Sequence, residues 1–402
     1  MAGIEANGQL IKALRERHGL SLGSLAKELG FGSDELEEVE GKASTDISHR
    51  RAESLAELFG VSVFDLDATP DEVVTPVLPD FRTEKSKPAK VGVSTWKRIR
   101  KVQRYRDAIA EIYEDDPDII KARKFKNYSL ESKPAEVAAH IRHVIGLDWG
   151  YQAKPDRSET LYDVLRWNIE VAGVNVTQLS YPITDSRGFY VASDVPGADV
   201  ICVNSKNAKK KARVFTLAHE LAHALIRQEG ISDYLILRNK VEKFCNAVAA
   251  ETLLPSEQFS RWFRDNLGAA NLTNTRLRNA AEVLGVSQYS LAVRLENLRL
   301  VEDGFVGQWL ASMPKNLQDK FEEGNLDPEF DGGEEETAIY GPLTGANKVA
   351  EVGSGIASLA LASVERQTRD PIDIYRNFRI NPEHLDAVRT NLTNKIKASR
   401  SR

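Results

Sequence analysis

The spacing of apolar residues changes several times along this 402-residue chain, and each change predicts an element. Residues 8–66 repeat a helical period broken by glycines. LIKALRERHG, SLGSLAKELG, SDELEEVEGK and HRRAESLAELFG each read as one short helix closed at or just before a glycine. Ser21 and Ser33 suit the N-caps of the second and third helices, and Gly30-Phe31-Gly32 separates that pair, a helix-turn-helix arrangement. Residues 67–95 lose the period and collect Pro, Thr, Ser and Asp, which predicts a linker. The helical period returns in STWKRIRKVQRYRDAIAEIY, in KPAEVAAHIRHVIGL and in TLYDVLRWNIEVA, the last ending at Gly173. Runs rich in Val, Ile, Tyr and Phe at 174–179, 188–193 and 199–204, bounded by Pro, Gly and Asp, predict strands. Roughly a hundred residues of mostly helical pattern follow. Residues 311–345 are acidic and rich in Gly and Pro, which predicts a spacer, and 346–402 read as a small helical segment. The fold class expected is α+β, mostly helical, with one small sheet ahead of the long helical region.

The totals narrow this only a little. The length calls for two to four domains. Apolar residues at 42% and charged residues at 28% are those of a globular chain. No apolar run approaches the ~20 residues of a membrane helix. The N-terminus carries acids and no long apolar stretch, so no signal peptide is expected. Two cysteines, Cys202 and Cys245, imply no disulfide framework, and a cytoplasmic protein is the simplest expectation.

The candidate chemistry sits in ARVFTLAHELAHALIRQ. His219 and His223 are four residues apart, hence on one face of a helix, where two imidazoles can share one Zn²⁺. Glu220, beside the first histidine, can then act as the general base on a water held there. The flanks, Phe215, Leu217, Ala218, Leu221, Ala222, Ala224 and Leu225, are apolar, so three polar groups in such a helix need a reason. A catalytic zinc wants a third ligand. The longer H-E-x-x-H-x-x-G-x-x-H pattern would place it at Glu229 but needs glycine at Ile226, so it is set aside. Glu242, in VEKFCNAVAAETLLP, is the better candidate. It borders a packed helical face, where an unpartnered acid is costly and a zinc ion would serve as partner. Asn246, one turn on, could orient its carboxylate. Glu251 and Asp233 are weaker alternatives, and Tyr234 or Arg276 are weak candidates for stabilising an oxyanion. His140 and His143 lack an accompanying acid or cysteine cluster and read as structural, and Cys245 reads as packing.

These residues resemble the ImmA/IrrE metallopeptidases, in the form carrying an N-terminal XRE-type helix-turn-helix. The matching pieces are collinear from about 8 to 395: the N-terminal helices, PDFRT (79–83), PAEVAAHIRHVIGL (134–147), Glu170 to Gly173, RGFYV (187–191), VICVN (200–204), RVFTLAHELAHAL (213–225), EKFCNAVAAETLLP (242–255) and LGVSQYSLAVRLENL (284–298). HELAH together with E-x-x-x-N…LLP is the specific part. The resemblance implies an XRE-like domain at 1–66, a linker at 67–95 and a zincin-like metallopeptidase domain of small sheet and helices at 96–310. It implies Zn²⁺ as cofactor on His219, His223 and Glu242, with Glu220 as catalytic base. It also implies cleavage of a regulatory protein, a repressor or antitoxin-like partner, controlling gene expression in a stress-response or mobile-element setting. The alternative is a non-proteolytic transcriptional regulator or antitoxin that uses its metal domain for sensing or partner docking.

The net charge of −5 is unevenly spread. Residues 1–66 hold seven Lys/Arg against twelve Asp/Glu, and the candidate recognition helix SDELEEVE holds five acids in eight positions. Acids facing a phosphate lattice oppose groove insertion, so a protein-binding role, a homodimer included, fits this module at least as well as DNA. Basic charge collects at 82–106 instead, with ten Lys/Arg, one acid, and Trp96 and Tyr105 interleaved. Lys97, Arg98, Arg100, Lys101 and Arg104 are therefore candidate contacts to nucleic acid or to an acidic partner; the other reading is a solvated helix face. Alternatively the strip pairs inside the chain, with the acidic N-terminal module or the spacer. Residues 280–298 form a second turn-separated helix pair, read as packing on the peptidase.

Overall fold

The computed structural model describes residues 3–73, 78, 91–119, 123–155, 159–206, 210–232, 239–268, 272–315, 318 and 345–400. Most of the expected linker and nearly all of the expected acidic spacer lie outside these residues, as do PDFRT, Asp233 and Tyr234.

The N-terminal module packs four helices: α1 (Gly8–Arg17), α2 (Leu22–Leu29), α3 (Ser33–Glu40) and α4 (His49–Phe59). A two-stranded antiparallel pair joins them, β1 (Ile4–Ala6) with β2 (Thr45–Ile47). Local rules set the ends. Ser21 caps α2 by accepting from the Ser24 amide, and Gly30 closes α2 at φ +66°, a left-handed position that suits glycine. Ser33 is the first residue of α3 rather than its cap; Gly32 is the cap, and Glu35 reaches back to its amide at 3.2 Å. The start of the expected linker is packed: Arg17 donates to the carbonyls of Val73 at 2.6 Å and Pro70 at 2.7 Å.

One long helix, α5 (Val93–Asp115), is the hub of the structure. Its apolar side carries Trp96, Ile99, Val102, Tyr105, Ile109 and Ile112, all almost completely buried in the larger of two apolar cores. The aromatic residues that interleave its basic strip are thus core residues. The described part of the strip, on α5, pairs with other parts of the same chain. Lys97 pairs with Glu28, Arg104 with Glu57 at 3.0 Å and Lys101 with Glu351 at 2.7 Å; Arg98 donates to the Ser180 carbonyl at 3.2 Å. Arg100 is buried, with its guanidinium donating to the carbonyls of Leu58 and Phe59, so it is not available to nucleic acid or to a partner. Periodicity places charged residues off the apolar stripe; it does not reveal that neighbouring elements cover the charged side as well.

Beyond α5 come α6 (Pro134–Val144), α7 (Trp149–Gln152) and α8 (Leu161–Val171), then β3 (Asn175–Leu179), β4 (Gly188–Val191) and β5 (Val200–Asn204). Helix α9 (Lys210–Ile226) and strand β6 (Gly230–Ser232) follow, then α10 (Lys240–Leu253), α11 (Ser256–Asn266), α12 (Asn274–Leu284), α13 (Gln288–Asn297) and α14 (Phe305–Ala311). The sheet order is β3-β5-β4-β6, with β3 parallel to β5 and the other pairs antiparallel. Successive residues of β5 alternate between two cores. Val200 and Cys202 join the core of α5, while Ile201 and Val203 join that of α6, α8, α9 and α10. A strand buried on both faces reads as an unbroken apolar run, which is why VICVN was legible. β1, β2 and β6 are three residues each, too short to show a period.

The C-terminal helices α15 (Gly345–Val352), α16 (Ser354–Glu365), α17 (Pro371–Phe378) and α18 (Leu385–Arg400) share the core of α5. They cover the edge strand β3: Thr177 donates to the Glu351 carbonyl at 2.9 Å and Arg166 to that of Ala350 at 2.7 Å. The molecule is a mostly helical α+β structure, and among the described residues no helix is long and apolar enough to cross a membrane.

The N-terminal module meets α5 at His18, fully buried between Phe59 and Trp96. Its Nδ1 donates to the Leu14 carbonyl at 2.7 Å, and its Nε2 accepts from Arg100 at 2.9 Å. Burial first, with Arg100 and Arg17 adding to it against the Leu14 bond, pushes the imidazole down from 6.5 to about 4. A depression of that size is worth about 3 kcal/mol. Because the folded value lies below the unfolded one, this stability is complete above pH 6.5 and drains away as pH falls toward 4. Chemical denaturation across that window should show a smaller acid loss in His18→Gln than in the wild type; equal losses would refute the assignment.

Candidate metal centre

Helix α9 crosses the sheet on β4 and β5, and α10 packs beside it. Its apolar flanks bury Leu217, Ala218, Leu221, Ala222 and Leu225, and with them His219, Glu220 and His223, each 1% exposed. Asn239 caps α10 by accepting from the Val241 amide at 2.8 Å, which starts the helix so that Glu242 falls in its first turn, facing α9 and fully buried.

The donor atoms converge. Nε2 of His219 lies 3.3 Å from Oε2 of Glu242, Nε2 of His223 lies 3.2 Å from Oε1, and the two Nε2 atoms are 3.1 Å apart. Ligands held at about 2.05 Å in a tetrahedron stand about 3.3 Å from one another, so these separations are those of a zinc ligand set. Among the described residues, the two imidazoles are the groups that approach the oxygens of Glu242. Three acceptors facing one another in a buried space are a poor arrangement unless a cation or proton lies between them. Burial opposes ionisation of Glu242, but the His219 and His223 imidazoles outweigh it and hold the carboxyl down at about 2. Among the described residues this is the one His/Cys/Asp/Glu group with metal-binding geometry. The residues fit zinc by donor type as well: two imidazoles and one carboxylate leave a fourth position for water. His223 is also held from behind, since its Nδ1 lies 3.3 Å from the Gln228 carbonyl.

Glu220 points toward the sheet. A β-carbon at Gly188 would come within 2.8 Å of its Oε1 and within 3.0 Å of the Cys202 carbonyl, so glycine on β4 makes room for this carboxylate. Sequence reasoning did not single out Gly188; a glycine inside the strand run RGFYV was the available signal.

The other candidates fall elsewhere. Asn246 sits half-buried one turn beyond Glu242. Glu251 pairs with Arg294 at 2.7 Å and accepts from the Ser256 amide. Glu229 accepts from the Ala192 amide at 3.1 Å. Arg276 donates to the Asn266 carbonyl. His140 packs on Phe125 and Tyr128. Cys245 is fully buried, and burial pushes its thiol well up, which leaves it inert. In the N-terminal module, Glu40 is buried in a two-pronged pair with Arg15 at 2.7 and 2.8 Å, Glu38 pairs with Lys42 and Glu35 with Arg51.

Zinc titration with thermal melting should show one equivalent bound and a raised midpoint. Replacing His219 or His223 by Ala, or Glu242 by Gln, should weaken binding by more than the ~10–100-fold that loss of a supporting partner costs.

No curated protein and no solved structure matches the chain. Residues 169–296, less than half of the chain but including His219, His223 and Glu242, match the family model described as the IrrE N-terminal-like domain of the M78 peptidases, a match that supports a metallopeptidase-type function for this part.

Proposed function

We propose that the protein is a zinc-dependent endopeptidase of the H-E-x-x-H type that cleaves a regulatory protein. The observation that carries this reading is the convergence of His219, His223 and Glu242 within 3.3 Å on buried elements, with Glu220 beside them. A bound zinc ion would supply a Lewis acid for the peptide carbonyl and bring the pKa of a coordinated water toward ~7. The chain's own residues do the rest. His219 and His223 are locked by the packing of α9, so their Nε2 atoms need no reorganisation. Glu220 takes the proton of the attacking water and returns it to the leaving amine. The buried, low-dielectric surroundings strengthen each of these interactions.

The substrate proposed is a DNA-binding repressor or antitoxin-like partner, in a stress-response or mobile-element setting. The N-terminal module supports a role in choosing that partner. Its candidate recognition helix is acidic, and the basic residues of α5 are paired within the chain with Glu28, Glu57 and Glu351. Neither surface resembles a phosphate-binding face.

Co-expression of Glu220→Gln with candidate regulators should leave zinc bound and abolish cleavage, a loss of at least ~10²-fold. Cleavage at the wild-type rate would remove the peptidase reading in favour of a non-proteolytic regulator. Gly188→Ala, which forces the Glu220 carboxylate aside while leaving the three ligands in place, should retain zinc and lose at least ~10-fold in rate; an unchanged rate would show that Glu220 does not depend on that space.

A further inference from the structure

Asp199 and Arg227 lie outside the triad, and the chemistry above gives them no part. Asp199, just ahead of β5, is 1% exposed, and both its oxygens are engaged. Oδ1 accepts from Arg227 at 2.9 Å, from the Tyr190 hydroxyl at 2.9 Å and from the Ser193 amide at 3.0 Å; Oδ2 accepts from Arg123 at 2.9 Å. The two arginines reach on. Arg123 donates to the Ala224 carbonyl at 2.8 Å and Arg227 to the Ser193 carbonyl at 2.6 Å. Ala224 follows His223, so the network grips the last turn of the metal helix from the sheet.

That turn ends in a specific way. The Gln228 amide donates to the His223 carbonyl at 3.1 Å and the Arg227 amide to that of Ala224 at 3.4 Å, the paired bonds of a helix stop. Arg227 has φ +57°, a left-handed position where glycine is the usual residue. Its side-chain bonds to Asp199 and Ser193 offset that strain. The reversal brings the Gln228 carbonyl to Nδ1 of His223 at 3.3 Å. A carbonyl can only accept, so Nδ1 is the donor in this contact and Nε2 is the nitrogen turned toward Glu242 and His219.

We infer that Asp199 and Arg227 are positioning residues for His223: they hold the turn that sets the Gln228 carbonyl on Nδ1, and so fix the tautomer and direction of the metal-binding nitrogen. The inference rests on the zinc reading of the triad, and the test separates the two. Zinc affinity is measured by chelator competition on the full chain, and the side-chain ¹⁵N signals of His223 are recorded in metal-free protein, for wild type, Arg227→Gly and Arg227→Lys. Arg227→Gly keeps the left-handed turn and deletes the ion pair; circular dichroism checks its folding. Expected are a loss of about tenfold or more in zinc affinity, faster exchange or loss of the His223 Nδ1 proton signal, and partial recovery of both in Arg227→Lys. Should Arg227→Gly fail to fold, Tyr190→Phe, which removes one donor to Asp199, replaces it and should weaken zinc by a smaller factor. Zinc affinity within about twofold of wild type with the Nδ1 signal intact would overturn the inference. Absence of zinc binding in the wild type would instead sink the zinc reading, and the Nδ1 signal alone would then decide whether Arg227 positions the ring.

Discussion

Three acceptors meeting in one buried space is the constraint on which the rest of this structure depends. Two imidazole nitrogens and a carboxylate within 3.3 Å of one another repel unless positive charge lies between them. Holding them there requires rigid walls. Helix α9 lies on a sheet buried on both faces, α10 packs along its side, and the carbonyls at the end of α9 are held by Arg123 and by the turn at Arg227. A loop could not keep three such groups together against their repulsion; two packed helices can.

The same walls explain why the chain is larger than the part that resembles a peptidase. The sheet face away from α9 needs a cover, and α5 with the C-terminal helices supplies it, with Phe189, Val191, Val200 and Cys202 inside the shared core. The exposed edge of β3 needs partners, and the turn between α15 and α16 lies against it, with Gly353 so close to Glu170 and Val176 that a β-carbon would come within 2.3 Å of both. Glu170 itself, buried, sits at the start of α16, where burial raises its carboxyl while Arg166 and nearby backbone amides oppose that rise. Segments far apart in sequence therefore converge on a single scaffold around the candidate metal centre.

The N-terminal module joins this scaffold through α5. Its contacts are Trp96, His18 and Arg100 in the buried part and ion pairs at the rim. Partly exposed pairs such as Lys97 with Glu28 add little individually, so the buried aromatic and guanidinium contacts carry the docking.

Much of this was written in the local pattern. Glycine stops and the Ser21 cap marked the N-terminal helices, runs rich in Val, Ile, Tyr and Phe marked β3, β4 and β5, and HELAH with a lone acid on the margin of a packed helix marked His219, His223 and Glu242. Such features are legible because their causes lie within a few residues: backbone sterics, capping and the helical repeat. The pairing of the basic residues of α5 within the chain, the burial of Arg100, the place of Gly188 beneath Glu220 and the grip of Asp199 on Arg227 were decided only by the tertiary structure. Each depends on which surface meets which, and partners such as Lys101 and Glu351, 250 residues apart, leave no trace in local spacing. The sequence by itself determined the chemistry the chain can offer; the packing of distant segments decided which charged groups remain free to use it.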